Sequence, residues 1–249
     1  MKRWRRAIFG AVGVLTGVAV VGCTPPSSPS KDPAGPDWAA RRDQMVRTQI
    51  EARGVKDPTV LDSMRAVPRH LFVPESVRDG AYADSPLPIG DSQTISQPYI
   101  VALMTELLEV GPGDSVLEIG TGSGYQAAVL AQMGVEVYSI EIKPRLCQSA
   151  QETLAELGYE RAHVRCGDGY GGWPEHAPFD GIIVTAAPER IPAPLLDQLA
   201  TGSHMVIPVG AFYQELKVIT RTEDGVDERS VIPVRFVPMT GEAERPADR

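Results

Sequence analysis

Two short runs of this chain combine residue types that group-transfer chemistry needs. Residues 94–96 read Thr-Ile-Ser just before a helix predicted to begin at Pro98, and residues 116–124 read VLEIGTGSG. The second run is an apolar strand followed by a glycine loop, where the backbone can approach a ligand and the next helix offers free N–H groups. The hydroxyls of the first run stand where a second molecule could meet that ligand. Together the two runs predict a transferase rather than a simple binding protein.

Three acidic residues are predicted at three consecutive strands of one sheet. Glu118 lies inside the first strand, Glu141 closes the second, and Asp168 follows the third within Gly-Asp-Gly. Ligands of open α/β sheets bind outside the carboxyl ends of the strands, where Glu141 could accept hydrogen bonds from ribose hydroxyls. Asp168 could accept one from an amino group such as that of adenine. An unpaired buried acid is costly, so Glu118 is expected to hold the N–H groups of the loop or to face a cationic ligand. The glycine loop and Glu141 also fit the fingerprint of a dinucleotide-binding site, so these residues alone do not identify the cofactor.

The alternation of elements predicts the scaffold that positions these residues. Short, continuously apolar strands alternate with helices from residue 115 onward, which indicates a parallel sheet covered on both faces. The last two strands break this pattern and predict an antiparallel hairpin at the sheet edge. The predicted fold class is therefore α/β, a doubly wound and mostly parallel sheet with N-terminal helices and a C-terminal hairpin. The predicted helices span 37–54, 57–66, 98–108, 125–133, 144–157 and 194–199, with an irregular connector at 71–90, and the predicted strands span 116–119, 135–140, 163–166, 179–185, 205–208, 215–222 and 229–237.

The composition is that of a globular protein, and its charge argues against one class of partner. The 249 residues are 43% hydrophobic and 22% charged, with a formal net charge of −8. Residues 1–22 contain four basic residues and no acid, so the remainder holds 20 basic against 32 acidic residues, a net charge of −12. Proteins that bind nucleic acid do so largely through Lys and Arg contacts with phosphates. We therefore expect no nucleic-acid partner.

The N-terminus has the pattern of a targeting segment followed by a tether. A basic run at 2–6 precedes an apolar run at 7–22, whose 16 residues are few for a membrane-spanning helix of about 20. The run ends in Val-Val-Gly-Cys23, which resembles the lipobox of bacterial lipoproteins, where the cysteine is lipidated. Residues 23–36 then form a proline- and serine-rich tether, which leaves 37–241 as the folded domain and 242–249 as a polar tail. The alternatives are an uncleaved anchor helix, or an unused upstream start with Met45 beginning a cytoplasmic form.

The other two cysteines are expected as free thiols. Cys147 falls early in a predicted helix and Cys166 at a predicted strand end, and these positions give no geometric reason to expect a disulfide. An oxidising compartment would permit one in principle. The four histidines are scattered without ligand spacing and no Cys-x-x-Cys pair occurs. No metal site is expected.

With these motifs in view, the chain resembles a known family. The runs at 118–124 and 167–169, with Glu141, are similar to the cofactor motifs of S-adenosylmethionine-dependent methyltransferases, which have a Rossmann-like fold. The closer resemblance is to the protein-L-isoaspartate O-methyltransferases. It covers about residues 43–240, and its most specific part is the Gln-Thr-Ile-Ser run. It rests on LPIG at 87–90, QTISQP at 93–98, MTELL at 104–108, VTAAP at 184–188, PVG at 208–210 and RFVP at 235–238.

The resemblance implies a role for each matched residue. Ser96 matches the active-site serine of the family, with Thr94 and Ile95 beside it at the substrate. The implied substrate is the α-carboxylate of an L-isoaspartyl residue in a damaged protein or peptide, whose methyl ester returns to a normal aspartyl linkage through a succinimide. A monomer is expected. The cofactor would be held by Glu118, Gly120 and Gly122 at its methionine end, by Glu141 at the ribose, and by Asp168 with Gly169 at the adenine.

The implied chemistry agrees with what the sequence lacks. A carboxylate has a pKa of about 4, so it is already ionised and needs no general base, and a sulfonium is an activated donor that needs no metal. Positioning and the exclusion of water should therefore dominate. Ser96 could hold the acceptor carboxylate, and the alternative is that it only caps the helix that follows.

Departures from the family pattern leave other functions open. Asp91-Ser92 stands before Gln93 where a glycine is usual, and Ser203 replaces a second glycine before the fifth predicted strand. A lipid on Cys23 would be the protein's link to a membrane and would place the protein outside the cytoplasm. The family normally works inside the cytoplasm, where S-adenosylmethionine is made. The two alternative functions are methyl transfer to a small-molecule carboxylate and an exported module that binds the cofactor without turnover.

Overall fold

The computed structural model describes residues 37–244. The leader at 1–22, Cys23 and the tether to residue 36 lie outside the described residues, as do residues 245–249 of the polar tail. Within 37–244, no helix combines the length and the apolar character that crossing a membrane requires.

A mostly parallel seven-stranded sheet forms the centre of the described part and confirms the predicted fold class. Its strand order is β5-β4-β3-β6-β7-β8-β9. The first five strands in that order pair in parallel, and β8 and β9 add the predicted antiparallel hairpin. The strands are β1 (Leu87–Gly90), β2 (Gln93–Ile95), β3 (Ser115–Ile119), β4 (Glu136–Glu141), β5 (Ala162–Cys166), β6 (Phe179–Val184), β7 (Leu199–Val209), β8 (Gln214–Thr222) and β9 (Gly225–Val234). Ser203 lies inside β7, which begins six residues before the predicted strand.

The helices begin where the sequence supplies a cap. The Asp37 side chain accepts the N–H of Ala40 at 2.9 Å before the first helix, and Asp57 accepts the N–H of Thr59 at 2.8 Å before the second. The first helix continues beyond Met45 as one π-helical and one 3₁₀ turn, so the predicted end near residue 54 is correct. The α-helices are α1 (Trp38–Met45), α2 (Pro58–Ala66), α3 (Pro98–Leu107), α4 (Tyr125–Gln132), α5 (Pro144–Glu156) and α6 (Ala193–Asp197).

Both faces of the parallel strands are buried, as their apolar sequences predict. Side chains of a strand alternate between the two faces, and in β3 Val116 belongs to one buried cluster and Leu117 to the other. The same alternation places Ile182 and Ile183 of β6 in different clusters. Packing on both faces therefore fixes the register of the strands and the position of the carboxyl edge of the sheet.

A two-stranded hairpin, β1–β2, replaces the last part of the predicted irregular connector. Its strands pair Leu87 with Ile95, and its turn places Asp91 and Ser92 at φ 48° and 58°. Such a turn needs positive φ at both central residues and is usually made by Asn-Gly or Asp-Gly. Because Asp91-Ser92 lacks the usual glycine, the sequence contains no signal for this hairpin. The turn also holds Ser92, which has a side chain, in the left-handed region.

The prediction of two free thiols is wrong, because Cys147 and Cys166 form a disulfide with Cα atoms 5.5 Å apart. The reason is topological. Helix α5 starts where β4 ends, and β5 runs parallel to β4, so the first turn of the helix and the end of β5 lie at the same edge of the sheet. Closing a loop of this sequence separation, 19 residues, stabilises the fold by about 3 kcal/mol in the chain-entropy model.

Candidate active site

One cleft at the carboxyl edge of the sheet brings most of the predicted site residues together. It encloses about 930 Å³, a volume that includes space open to solvent. Glu118 and Asp168 lie outside its lining. The predicted residues that line it are Thr94, Ile95, Ser96, Gly120, Gly122, Glu141 and Gly169.

The glycine loop is held in place by Thr185 at the end of β6. The Thr185 hydroxyl donates to the carbonyl of Gly120 at 2.6 Å, and its backbone N–H donates to the carbonyl of Ile119 at 2.9 Å. Gly120 has φ 97°, and a Cβ at this position would lie 2.4 Å from the Thr185 hydroxyl oxygen. A side chain is therefore excluded here by both conformation and contact, so the backbone forms the wall of the cleft.

Glu141 supports the loop and also lines the cleft. Its Oε2 accepts the N–H of Gly122 and its Oε1 accepts the N–H of Lys143, each at 2.8 Å. A carboxylate oxygen can accept more than one hydrogen bond, so these contacts leave capacity for a ribose hydroxyl. The residues present therefore fit a nucleoside cofactor: a backbone-walled cleft with an acid at the end of the second parallel strand.

Glu118 lies beneath the loop and outside the cleft. It is fully buried, and Ser139 of the neighbouring strand donates to its Oε2 at 2.5 Å while contacting the Thr121 hydroxyl at 2.5 Å. Burial raises the pKa of Glu118 to about 8, opposed by the Ser139 hydrogen bond and assisted by the charge of Glu141. Its Oε1 has no hydrogen-bond partner within residues 37–244. Glu118 is thus mostly protonated at neutral pH and supports the loop from below, and its predicted role at the methionine end stays a prediction.

Asp168 joins the adenine side of the predicted site to the C-terminal segment. Its Oδ1 accepts the N–H of Tyr170 at 2.9 Å, and its Oδ2 accepts the N–H of Glu242 at 2.7 Å. Residues 237–240 line the cleft, because Ala187 exchanges backbone hydrogen bonds of 2.8 Å with Val237 and Met239. The first residues of the predicted polar tail therefore pack against the wall of the site.

The acceptor run follows β2 and precedes α3. Ile95 is buried, Ser96 is half-buried and Thr94 is exposed. The N-cap of α3 is Gln97, and no side chain caps the helix, so capping does not account for Ser96. The Gln97 amide instead donates to Asp84 at 2.7 Å and holds the turn from the outside.

Arg69 contacts the acceptor run and was not singled out in the sequence analysis. It is fully buried, and it donates to the carbonyl of Ser96 at 2.7 Å and to the carbonyl of Ala81 at 2.8 Å. Its guanidinium lies 4.8 Å over the ring of Tyr125, the first residue after the glycine loop. Burial lowers the pKa of Arg69 to about 10, so it remains charged at neutral pH. The sequence feature that could have indicated its burial is the position of Arg69 within VPRHLFV at 67–73, a run that is apolar apart from Arg69 and His70.

An open groove leads from Ser96 along the end of β9. It encloses about 1,600 Å³ together with open solvent, and one wall is residues 232–238. The opposite wall carries Arg53, whose guanidinium lies 3.5 Å over the Tyr99 ring. The acceptor side of the cleft therefore opens onto this groove, since Thr94 and Ser96 line both.

Comparisons with known proteins identify the family of this chain. The family model described as Protein-L-isoaspartate(D-aspartate) O-methyltransferase matches residues 40–244. A protein-L-isoaspartate O-methyltransferase of Gloeobacter violaceus is 59% identical over 200 residues, 80% of this chain and 98% of that relative. One from a Synechococcus strain is 53% identical over 245 residues, 95% of this chain and 96% of that relative.

Solved structures show the same similarity. A protein-L-isoaspartate O-methyltransferase structure matches with a TM-score of 0.76 and 29% identity, covering 81% of this chain and 67% of that one. A Plasmodium falciparum structure described as a protein of this family, in complex with S-adenosyl-L-homocysteine, has a TM-score of 0.70 and 25% identity, covering 80% of this chain and 98% of that one. The chain belongs to the protein-L-isoaspartate O-methyltransferase family.

Proposed function

We propose that this protein repairs damaged polypeptides by methylating the α-carboxylate of L-isoaspartyl residues, with S-adenosylmethionine as the donor. Membership of the family supports the reaction. The observation that carries the proposal is that the acceptor run at 93–96 and the glycine loop at 119–123 line a single cleft. When bound, S-adenosylmethionine supplies a methyl group that is already activated on a sulfonium.

Residues of this chain then have only to position the acceptor and exclude water. We assign the Ser96 hydroxyl to donate a hydrogen bond to one oxygen of the acceptor carboxylate, which leaves the other oxygen free to accept the methyl group as S-adenosylhomocysteine leaves. Arg69 donates to the carbonyl of Ser96, so the backbone that carries this hydroxyl is held in position. The cleft wall at 237–240 and the buried Ile95 reduce the water around the reacting atoms. No proton has to leave the acceptor, which is ionised at neutral pH.

The groove favours a polypeptide over a small-molecule carboxylate. It extends from Ser96 past residues 232–238 and is open to solvent, so the chain on either side of an isoaspartyl residue could leave the site without a clash. A small acid would leave this surface without a role. Because the cleft is lined from a single chain, a monomer would suffice for activity, and we propose that state.

The test compares acceptors that differ only in linkage. We expect methyl transfer to an isoaspartyl peptide and none to the normal aspartyl peptide of the same sequence or to free small acids, measured as base-labile methyl ester. Transfer to free acids at equal rate would support the small-molecule alternative. Tight cofactor binding without transfer to any acceptor would support the module without turnover.

We also propose that the protein is exported and lipid-anchored through Cys23. The basic and apolar runs before Cys23 support this. The Cys147–Cys166 disulfide suits an oxidising compartment. Mass analysis of the N-terminus after fractionation of native cells tests the proposal. A diacylglyceryl cysteine is the expected result, whereas a start near Met45 would place the protein in the cytoplasm, as is usual for the family.

A further inference from the structure

Two adjacent aromatic side chains project into solvent from the loop between β7 and β8. Phe212 is 108% exposed and Tyr213 is 68% exposed. Phe is among the residues most often buried in folded proteins, and adjoining apolar rings expose surface whose burial is favourable. A third large apolar side chain, Val226, is 47% exposed, but it lies in the β8–β9 hairpin at the opposite edge of the sheet. We call Phe212 and Tyr213 the aromatic tip.

The aromatic tip lies at the same edge of the sheet as the cleft. Strand β7 runs parallel to β6 and ends at Val209, so the loop that follows leaves from the carboxyl edge. The N–H of Gly210 donates to the carbonyl of Pro188 at 3.0 Å. Pro188 directly follows Ala187, the residue whose backbone pairs with the cleft wall at 237–239. The loop is therefore attached to the segment that lines the proposed active site.

A second attachment joins the aromatic tip to the groove. Gln214, the residue after Tyr213, donates its amide to the carbonyl of Phe236 at 3.2 Å and accepts the N–H of Phe236 at 2.6 Å. Phe236 belongs to the groove wall. Consecutive residues are about 3.8 Å apart along the chain, so the tip begins within one or two residues of the wall.

The loop that carries the tip is tightly folded. Gly210 has φ 128°, and a Cβ there would lie 2.0 Å from the carbonyl oxygen of Tyr213. Only glycine permits this close approach of the backbone to itself. The rings therefore stand on a compact turn with two attachments to the site.

We propose that the aromatic tip is a second contact point for the polypeptide that carries the isoaspartyl residue. Apolar residues that flank the damaged position pack on Phe212 and Tyr213 while the isoaspartyl carboxylate lies at Ser96. The inference rests on the proposed function and identifies the substrate class more closely: segments with apolar residues near the damage that have lost their packing. Folded proteins bury such residues, so the tip selects unfolded or mobile segments.

The continuity between groove and tip favours a polypeptide over a membrane surface. Beyond the leader the chain carries a net charge of −12, and an acidic protein is repelled by the anionic surface of a bacterial membrane. The groove by contrast runs from Ser96 to Phe236, and Phe236 is bonded to the residue that follows the tip. The aromatic tip therefore adjoins the wall of the groove that also contains Ser96.

The test is a double variant, Phe212→Ser with Tyr213→Ser, and two isoaspartyl peptides of equal length. One peptide has Leu- and Phe-rich flanks on both sides, and the other has Ser- and Gly-rich flanks. We expect kcat/KM for the apolar peptide to fall about tenfold, mainly through KM, because removing aromatic anchors typically weakens an interface by this order. The polar peptide should be methylated at the wild-type rate. Val226→Ser is the matched control and should change neither peptide.

Three results would overturn the proposal. An unchanged ratio between the two peptides means that the rings do not contact the substrate, and an equal loss on both means that the rings support the fold or the reaction itself. Loss of cosedimentation with phosphatidylglycerol vesicles, with an unchanged peptide ratio, would assign the tip to a membrane. Peptide Kd, measured on the S-adenosylhomocysteine complex, gives the same comparison without turnover. A wild-type protein that binds the apolar peptide through the tip but methylates neither peptide would contradict the proposed function alone.

Discussion

The two halves of the cleft are built in different ways. The cofactor half stands on β3 and β4 of the seven-stranded sheet, and its bonds join neighbouring strands, such as Glu141 to the loop after β3. The acceptor half stands on a short hairpin and one turn, and it is fixed by side chains from distant positions, such as Arg69, which is 27 residues from Ser96 in sequence. Sheet topology positions the first half, and a small network of side chains positions the second.

This difference makes the functions of the halves separable. Changes in the cofactor half should alter cofactor affinity and leave turnover at saturation intact. Changes in the acceptor half should lower turnover and leave cofactor affinity intact. The two halves meet where Arg69 contacts Tyr125, so a change at Arg69 should affect cofactor affinity as well as turnover.

The largest effect on turnover is expected from Ser96→Ala. Removing one hydrogen bond to the reacting group typically lowers kcat by about 100-fold or more, whereas cofactor Kd should stay within about twofold because Ser96 does not support the glycine loop. Steady-state kinetics and calorimetry on the same preparation check both values. Ser92→Ala, in the exposed turn of the same hairpin, is the control. Equal losses of kcat and cofactor affinity would remove the assignment of Ser96 to the acceptor.

Glu141→Ala should have the opposite signature. Loss of charge-assisted hydrogen bonds should weaken cofactor binding by about 10- to 100-fold, and kcat at saturating cofactor should remain near the wild-type value. Glu136→Ala, on the same strand but paired with Arg161 and His163 at the surface, should leave the Kd unchanged. Unaltered affinity in Glu141→Ala would show that the ribose assignment is wrong.

Arg69→Lys tests the link between the halves. Lysine keeps the charge but not the planar fork that reaches two carbonyls at once, so we expect kcat to fall about tenfold, with a smaller loss of cofactor affinity through the contact with Tyr125. A loss confined to thermal stability, with kcat unchanged below the melting temperature, would make Arg69 purely structural. Arg65→Lys, at a partly exposed position with ion pairs to Asp43 and Glu51, controls for the chemical change.

The smallest effect on catalysis is expected from Glu118→Gln, because its carboxyl lies outside the cleft. The folded pKa of about 8 exceeds the ordinary value of 4.5, so the folded state holds a proton that the unfolded state has lost between these two values. Stability of the wild type should therefore fall as pH rises from about 5 to about 8. The variant should lack this dependence and be more stable by on the order of 1–3 kcal/mol at pH 9, with no gain at pH 4. Denaturant unfolding at several pH values measures this difference in the free energy of unfolding. If stability depended on pH in the same way in both proteins, the raised pKa of Glu118 would be wrong.

The sequence predicts the elements that depend on periodicity, but it does not predict contacts between residues that are distant in the chain. The parallel strands, the glycine loop and the burial of Glu118 follow from apolar runs and strand ends. The Ser139 partner of Glu118 depends on the β3–β4 register, which no local pattern reports. The hairpin was missed because its turn lacks glycine at Asp91-Ser92, and the disulfide was missed because the shared edge of α5 and β5 was not used. The aromatic tip had no signal, since exposure cannot be read from two aromatic letters.

The bonds around the glycine loop have a thermodynamic consequence. Carbonyl, N–H and hydroxyl groups of three successive loop positions are held by Thr185, Glu141 and Ser139, so the loop takes its shape when the chain folds and not when the ligand arrives. The conformational entropy of its glycines is lost at that earlier step. Cofactor association should consequently carry only a small ordering penalty. The affinity of different ligands for this half of the cleft should then depend on the hydrogen bonds and the apolar area that each ligand provides, because the backbone loses little further entropy on binding.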